Sequence, residues 1–252
     1  MNTRLTRRLF PGVLPCVLLC VLPCSQVLTF AQQAGTSAVP GPVPKNLKIL
    51  APDTDMMDTM RAFNESLGVQ CEYCHAAGDF SSDANPRKET ARKMIAMVRQ
   101  IEPYFSTTSG VYPRGYHEVD CSTCHRGKAS VETKAAQHFQ NRGDAAGRIP
   151  ANEKATSLKV LPPDTDVHGK GSIMEEFRDA LLVDCAYCHK GPNWATEENP
   201  RKELARQMIL MTRSINAQLP APQAVTCYSC HRGAIHPVSL SNKNYDPSAD
   251  RK

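Results

Sequence analysis

The order Cys-x-x-Cys-His occurs four times in this 252-residue chain: Cys71-Glu-Tyr-Cys74-His75, Cys121-Ser-Thr-Cys124-His125, Cys185-Ala-Tyr-Cys188-His189 and Cys227-Tyr-Ser-Cys230-His231. Two thiols at this spacing are placed to form thioethers with the two vinyl groups of a haem, and the adjacent imidazole then comes up beneath the ring as the proximal iron ligand. One such pentapeptide arises by chance; four in one chain do not. The sequence therefore predicts four covalently bound haem c groups. They are attached through Cys71, Cys74, Cys121, Cys124, Cys185, Cys188, Cys227 and Cys230, with His75, His125, His189 and His231 on iron.

Other cysteine chemistries fit less well. Eight of the eleven cysteines lie in the motifs, and the other three, Cys16, Cys20 and Cys24, sit in an N-terminal apolar stretch. A four-thiolate zinc site built from Cys71, Cys74, Cys121 and Cys124 leaves the His after every second Cys unexplained. A disulfide framework does not repeat one x-x spacing four times, and a thioredoxin-like redox motif needs a βαβ setting absent here.

The elements that must hold the motifs occur as a duplication. Leu47-Lys48-Ile49-Leu50 and Pro52-Asp53-Thr54-Asp55 return as Leu158-Lys159-Val160-Leu161 and Pro163-Asp164-Thr165-Asp166. Asn85-Pro86-Arg87-Lys88-Glu89 returns as Asn199-Pro200-Arg201-Lys202-Glu203, and Ala91-Arg92-x-Met94-Ile95-x-Met97 as Ala205-Arg206-x-Met208-Ile209-x-Met211. Both copies end in Cys-His-Arg-Gly, at 124–127 and 230–233. The second copy carries a short insertion near His168-Gly-Lys-Gly171 and a shorter loop before its last motif. The expected organisation is a signal peptide at 1–31, a linker at 32–44, a di-haem module at 45–127, a linker at 128–154, a second module at 155–233 and a polar tail at 234–252.

Each module predicts two helices, each leading into a motif. Asp53 or Thr54 can cap the first, with Met56, Met60, Phe63 and Leu67 along one face; Met174, Phe177 and Leu181 take that spacing in the second copy. The second helix starts at Asn85-Pro86, Asn as N-cap and Pro at the first helical position, with an apolar stripe of Ala91, Met94, Ile95 and Val98. No convincing period-2 strand is present. The fold class expected is mainly α, a multihaem c-type cytochrome of two pseudo-symmetric di-haem modules with long loops.

What lies opposite the proximal His decides between an electron carrier and a haem enzyme. Met60 and Met174 each stand eleven residues before the first Cys of a motif, and Met94 and Met208 precede the second motif of each copy. A Met on an apolar helix face is ordinarily a gap-filling core residue; recurrence in both copies beside a haem motif favours Met60, Met94, Met174 and Met208 as axial sulfur ligands. Met97 and Met211, one turn further on and also repeated, are their rivals. Met56 and Met57 have no counterpart, and His117, His138, His168 and His236 are unrepeated.

The N-terminus reads as an export signal. Arg4, Arg7 and Arg8 precede the apolar stretch from Leu9 to Phe30, with a small-x-small site at Thr29-Phe30-Ala31. Pro11, Pro15 and Pro23 argue against a stable membrane-spanning helix. A soluble periplasmic protein is the first expectation and a tethered one, through an uncleaved anchor or a lipidated Cys20 or Cys24, the second. The formal charge of +5 falls to +2 once the three signal arginines are removed, and haem propionates lower it further. No long Lys/Arg run marks a nucleic-acid partner.

The strings 91–97, 205–211 and 225–233, with the Leu-Lys-x-Leu and Asp-Thr-Asp openings, resemble the tetrahaem cytochrome c subunit of photosynthetic reaction centres over nearly all of residues 45–233. The resemblance implies two mostly helical di-haem modules with the haems in a row. It also implies a periplasmic position, re-reduction of a photo-oxidised chlorophyll pair, and a small soluble electron donor. Carried over by residue, it supports Met60, Met94 and Met174 as sixth ligands of the first three haems. At the fourth, that family commonly uses a His from the first module; the only His in that stretch is His117, so Met208 is expected and His117 is the alternative. The competing expectations are a respiratory multihaem carrier, a multihaem nitrite or peroxide reductase, and a structural or sensory haem module. Repeated Met candidates at every motif argue against the open iron that a reductase needs.

Overall fold

Asp55 begins the first helix, α1 (Met56–Leu67), because its carboxylate accepts from the Asp58 backbone N–H at 3.0 Å. The cap is therefore Asp55 rather than Asp53 or Thr54: only a residue directly before the helix can reach the third helical N–H. A computed structural model describes residues 44–106, 119–133, 155–168, 171–191 and 193–239. Among them the remaining helices are α2 (Pro86–Ser106), α3 (Cys121–His125), α4 (Ile173–Leu181), α5 (Arg201–Asn216) and α6 (Cys227–His231), with 3-10 turns at Cys71–Tyr73 and Cys185–Tyr187. No strand occurs among the described residues, only an isolated bridge between Ala76 and Asp79. The fold is mainly α.

The start of α2 is the expected one: Asn85 Oδ1 accepts from Arg87 N at 3.1 Å, and Pro86 opens the helix. In the second copy Asn199 Oδ1 accepts from Arg201 N, also at 3.1 Å, ahead of α5. The start of α4 differs from that of α1. Ser172 caps it, its hydroxyl accepting from Glu175 N at 3.4 Å.

From Pro44 onward the chain forms one compact unit. Within it α1 packs on α3, α4 on α6, α2 on α5 and α3 on α6. The α2–α5 contact holds the main apolar cluster: Ile101, Met211 and Ile215 are buried, and Met97, Tyr104, Val119, Met208, Leu219 and Val225 pack on them. Ile101 and Met97 hold the same repeat positions as Ile215 and Met211. The α1 stripe of Met56, Met60, Phe63 and Leu67 is half-buried.

Candidate haem sites

The first and third motifs sit on 3-10 turns after α1 and α4. His75 N bonds Cys71 O at 3.0 Å and His189 N bonds Cys185 O at 2.9 Å, which closes the turn that carries each motif. The His75 ring meets Phe80 edge-on at 5.2 Å between centroids, and His189 meets Trp194 at 5.4 Å. Asn85 and Asn199 donate to the carbonyls of Tyr73 at 3.0 Å and Tyr187 at 2.9 Å, inside the motifs. Arg87 and Arg201 lie over those two tyrosine rings at 4.3 and 4.2 Å. The Asn that precedes each long helix thus also fastens the preceding motif.

The second and fourth motifs are themselves the short helices α3 and α6. Asp120 accepts from Thr123 N at 3.0 Å while Thr123 Oγ1 accepts from Asp120 N at 3.1 Å, a reciprocal cap. At the fourth motif the fully buried Ser229 accepts from Thr226 N at 3.0 Å. Each helix ends on a left-handed Arg-Gly pair, Arg126-Gly127 and Arg232-Gly233. The two glycine N–H groups donate at 2.7 Å to Ser66 O and Ala180 O, the last turns of α1 and α4. That bond is what the repeated Cys-His-Arg-Gly string encodes.

The two short helices meet. Arg126 Nη2 donates to Cys230 O at 2.8 Å and Arg232 Nη2 to Cys124 O at 3.0 Å, while Cys124 and Cys230 Sγ stand 3.1 Å apart. The Nε of both arginines is buried without a partner.

All four imidazoles share one feature. Nδ1 contacts a backbone carbonyl: Phe80 O at 3.0 Å from His75, Lys128 O at 3.0 Å from His125, Trp194 O at 3.0 Å from His189 and Ala234 O at 2.9 Å from His231. A carbonyl only accepts, so Nδ1 carries the proton and Nε2 carries the lone pair. That is the tautomer in which a metal-ligating His is held by its outer partner. Burial lowers the pKa of His125 and His189, and takes His231 down to about 4, which favours the neutral form of these three imidazoles. The donor set fits iron held through Nε2. Burial also raises the Cys74 and Cys188 thiols, and raises Cys121 and Cys227 to about 11, which disfavours thiolate chemistry. Cys230, buried against Cys124, is held protonated by that contact. Among the described residues no three His, Cys, Asp or Glu side chains converge as a metal cluster.

The methionines separate by position. Met97 and Met211 belong to the α2–α5 cluster, Met211 as one of its buried members. Met60, Met94 and Met174 are half-buried and lie outside that cluster, while Met208 is half-buried and packs on it. His117 and His138 fall outside the described residues. His168 is half-buried with Nδ1 unpartnered, and His236 is buried close enough to His231 to lower its pKa.

Sequence reasoning missed a charged hub in each copy. Asp83 is 2.7 Å from both Arg92 and Lys48, and 3.6 Å from Lys88; Glu197 is 2.6 Å from Arg206, 3.3 Å from Lys159 and 3.5 Å from Lys202. The Arg92 bond holds the Asp83 carboxyl far below its usual range, and the Arg206 bond lowers Glu197 to about 2. The three cations of each hub are identical between copies, which was the available signal.

Residues 26–164 match the family described as the photosynthetic reaction centre cytochrome C subunit, and residues 141–251 match it a second time. The chain belongs to the photosynthetic reaction centre cytochrome c subunit family. The two matches overlap at residues 141–164. Among relatives, the reaction-centre cytochrome subunit family includes proteins from Rubrivivax gelatinosus, 25% identical over 67% of this chain and 58% of that one, and Thermochromatium tepidum, 28% identical over 67% and 52%. A cytochrome c-554 of Chloroflexus aurantiacus is 24% identical over 73% of this chain and 67% of its own length. The chain thus spans about half to two thirds of the length of these relatives. This cytochrome family carries covalently bound haem c, and its members are electron carriers rather than enzymes.

Proposed function

We propose that the chain is an exported tetrahaem electron carrier. The observation that carries this is the shared tautomer: four imidazoles, each following two thiols in the chain, each with Nδ1 engaged by a carbonyl and the Nε2 lone pair available to iron. Haem c, when bound, supplies a reversible one-electron iron couple whose potential the protein tunes through ligands, hydrogen bonds and burial.

In this reading Cys71/Cys74, Cys121/Cys124, Cys185/Cys188 and Cys227/Cys230 anchor four haems in two modules, 45–127 and 155–233, and His75, His125, His189 and His231 are the proximal ligands. Met60, Met94, Met174 and Met208 supply the opposite ligands, sulfur raising the potential relative to a second imidazole. Placement of Met97 in the helix–helix cluster favours Met94 over it. Met208 touches the same cluster as Met211, so the choice there rests on the repeat; His117 is the alternative donor to the fourth site. The packing α1 on α3, α3 on α6 and α6 on α4 supports the relay order first, second, fourth, third, with Cys124 and Cys230 as the junction.

Relatives named as reaction-centre subunits favour a photosynthetic reaction centre as the membrane partner, with a small soluble carrier as donor. A periplasmic location follows from the export signal at 1–31, with tethering as the alternative; no helix among the described residues is long and apolar enough to cross a membrane. A relative named only as a cytochrome c-554 favours a second reading, a carrier to a respiratory complex.

Redox titration of the purified holoprotein with low-temperature spectra tests the carrier assignment. Four low-spin one-electron transitions are expected; a high-spin iron with rapid nitrite or peroxide turnover overturns it. Flash oxidation of pigment in membranes containing the protein separates the two partners. Re-reduction by the cytochrome supports the reaction centre, and pigment-free source membranes support the respiratory complex. Met208→Ala is expected to abolish one low-spin His/Met signal and His117→Ala to leave all four; the reverse exchanges the two assignments.

A further inference from the structure

We propose that Lys88 and Lys202 raise the redox potential of the first and third haem sites by sharing the carbonyl that holds each proximal histidine. The proposal rests on the tetrahaem reading above. Phe80 O accepts from His75 Nδ1 at 3.0 Å and from Lys88 Nζ at 2.9 Å. Trp194 O accepts from His189 Nδ1 at 3.0 Å and from Lys202 Nζ at 3.1 Å. A carbonyl has two lone pairs and can serve both donors. The second and fourth sites differ: their carbonyls belong to Lys128 and Ala234, and among the described residues no side-chain ammonium donates to either.

The direction follows from elementary electrostatics. An Nδ1–H bond to a carbonyl makes the imidazole a better donor to the metal. An ammonium on the same oxygen draws its density away, weakens that bond and makes the imidazole a poorer donor, which favours ferrous iron. The unit charge acts in the same sense, since the ferrous site is less positive by one. Both side chains are well covered, 13% exposed for Lys88 and 10% for Lys202, so water screens them little. Asp83 and Glu197 offset part of the charge from 3.6 and 3.5 Å, but each carboxylate is held closer by an arginine, at 2.7 and 2.6 Å.

A purely mechanical role also has support. Lys88 Nζ bonds the carbonyls of Ser81 and Ser82 at 3.0 Å each, and Lys202 Nζ bonds Thr196 O at 2.9 Å, so both side chains clasp the loop after the motif. A clasp alone changes stability. Potential tuning moves one haem in a direction fixed by charge.

The test is site-resolved redox titration of the holoprotein, with the wild type establishing four low-spin haems independently. Lys88→Met is expected to lower the ferrous-to-ferric ratio at the first site about tenfold at fixed electrode potential, about 59 mV for one electron, leaving the second and fourth sites in place. Lys202→Met does the same at the third site only. Lys88→Arg keeps the charge and restores the first site, whereas Asp83→Asn moves it the opposite way. Four wild-type haems with an unmoved first site in Lys88→Met, or an equal shift of all four, overturn the proposal while leaving the carrier assignment standing. If Lys88→Met fails to load haem, Lys202→Met and Asp83→Asn decide, and no shift at their sites overturns it equally.

Discussion

The first and third motifs are held by the chain that follows them, the second and fourth by each other. Around Cys71–His75 and Cys185–His189 the fastening residues are Asn85, Arg87 and Lys88 and their counterparts Asn199, Arg201 and Lys202, all at the start of the next helix. Around Cys121–His125 and Cys227–His231 the motif caps its own helix, and its arginine crosses to the other repeat. Damage to an outer site should stay in its own half. Damage at the inner pair should spread to both, because Arg126 and Arg232 each satisfy a carbonyl in the opposite motif.

The halves also differ at one backbone position. Gly68 closes α1 at φ +63°, and a Cβ built there would lie 2.0 Å from Gly127 O, inside the turn that follows the second motif. The same repeat position in the second half is Leu182, which holds φ 57° as a non-glycine residue. Its Cβ is 3.8 Å from a Cβ built on Gly233, an ordinary contact. The first half requires the absence of a side chain where the second half uses one.

The largest expected effect breaks this contrast. Gly68→Ala should destabilise the holoprotein by about 2–4 kcal/mol, combining overpacking against backbone with left-handed strain. Leu182→Gly should stay within about 1 kcal/mol, since relief of strain offsets lost contacts; thermal unfolding of the two variants checks the asymmetry. Next in size, Arg126→Gln or Arg232→Gln should each cost about 1.5–3 kcal/mol, the range for a charged hydrogen bond to a buried acceptor. The double variant should cost clearly less or more than their sum, because the residues share one interface. Denaturant unfolding of the four-member cycle measures the coupling, and strict additivity would dissolve the claimed lock between inner sites. Asp120→Ala should cost about 1 kcal/mol through the lost cap and loosen the fourth site together with the second; amide exchange at α3 and α6 reports whether the loss spreads.

The smallest effect concerns the hubs. Bonding to Arg206 depresses the folded pKa of Glu197 to about 2, so its contribution is present above the unfolded value near the ordinary carboxylate range and is lost as pH falls toward 2. The carboxylate is solvent-facing, so the change is small and sensitive to salt. Unfolding midpoints of Glu197→Gln and the parent should converge as pH is lowered through that window.

Much of the site was legible in the sequence because its determinants are short-range. The motifs, the Asn-Pro helix start and the repeated Cys-His-Arg-Gly string each encode a local geometry. The N-cap of α1 was misplaced by one or two positions since Asp53, Thr54 and Asp55 are all capping types and only helix register selects among them. The reciprocal bonds of Arg126 and Arg232 depend on how two repeats pack, which no local spacing reveals. The hubs were hidden differently: their acid is Asp83 in one copy and Glu197 in the other, so matching identical residues passes over it. His75 and His189 reach carbonyls five residues on through a loop whose path is set by Lys88 and Lys202, more distant partners than the i+3 carbonyls of His125 and His231.

The most direct test of the central claim, four covalent haem sites each built from two thiols and an Nδ1-protonated imidazole, is the intact mass of the holoprotein. The expected mass is that of the polypeptide plus four haems, falling to three haems in Cys71→Ala/Cys74→Ala and again to three in Cys227→Ala/Cys230→Ala. A parent mass carrying fewer than four haems, or a double variant that still carries four, would contradict it.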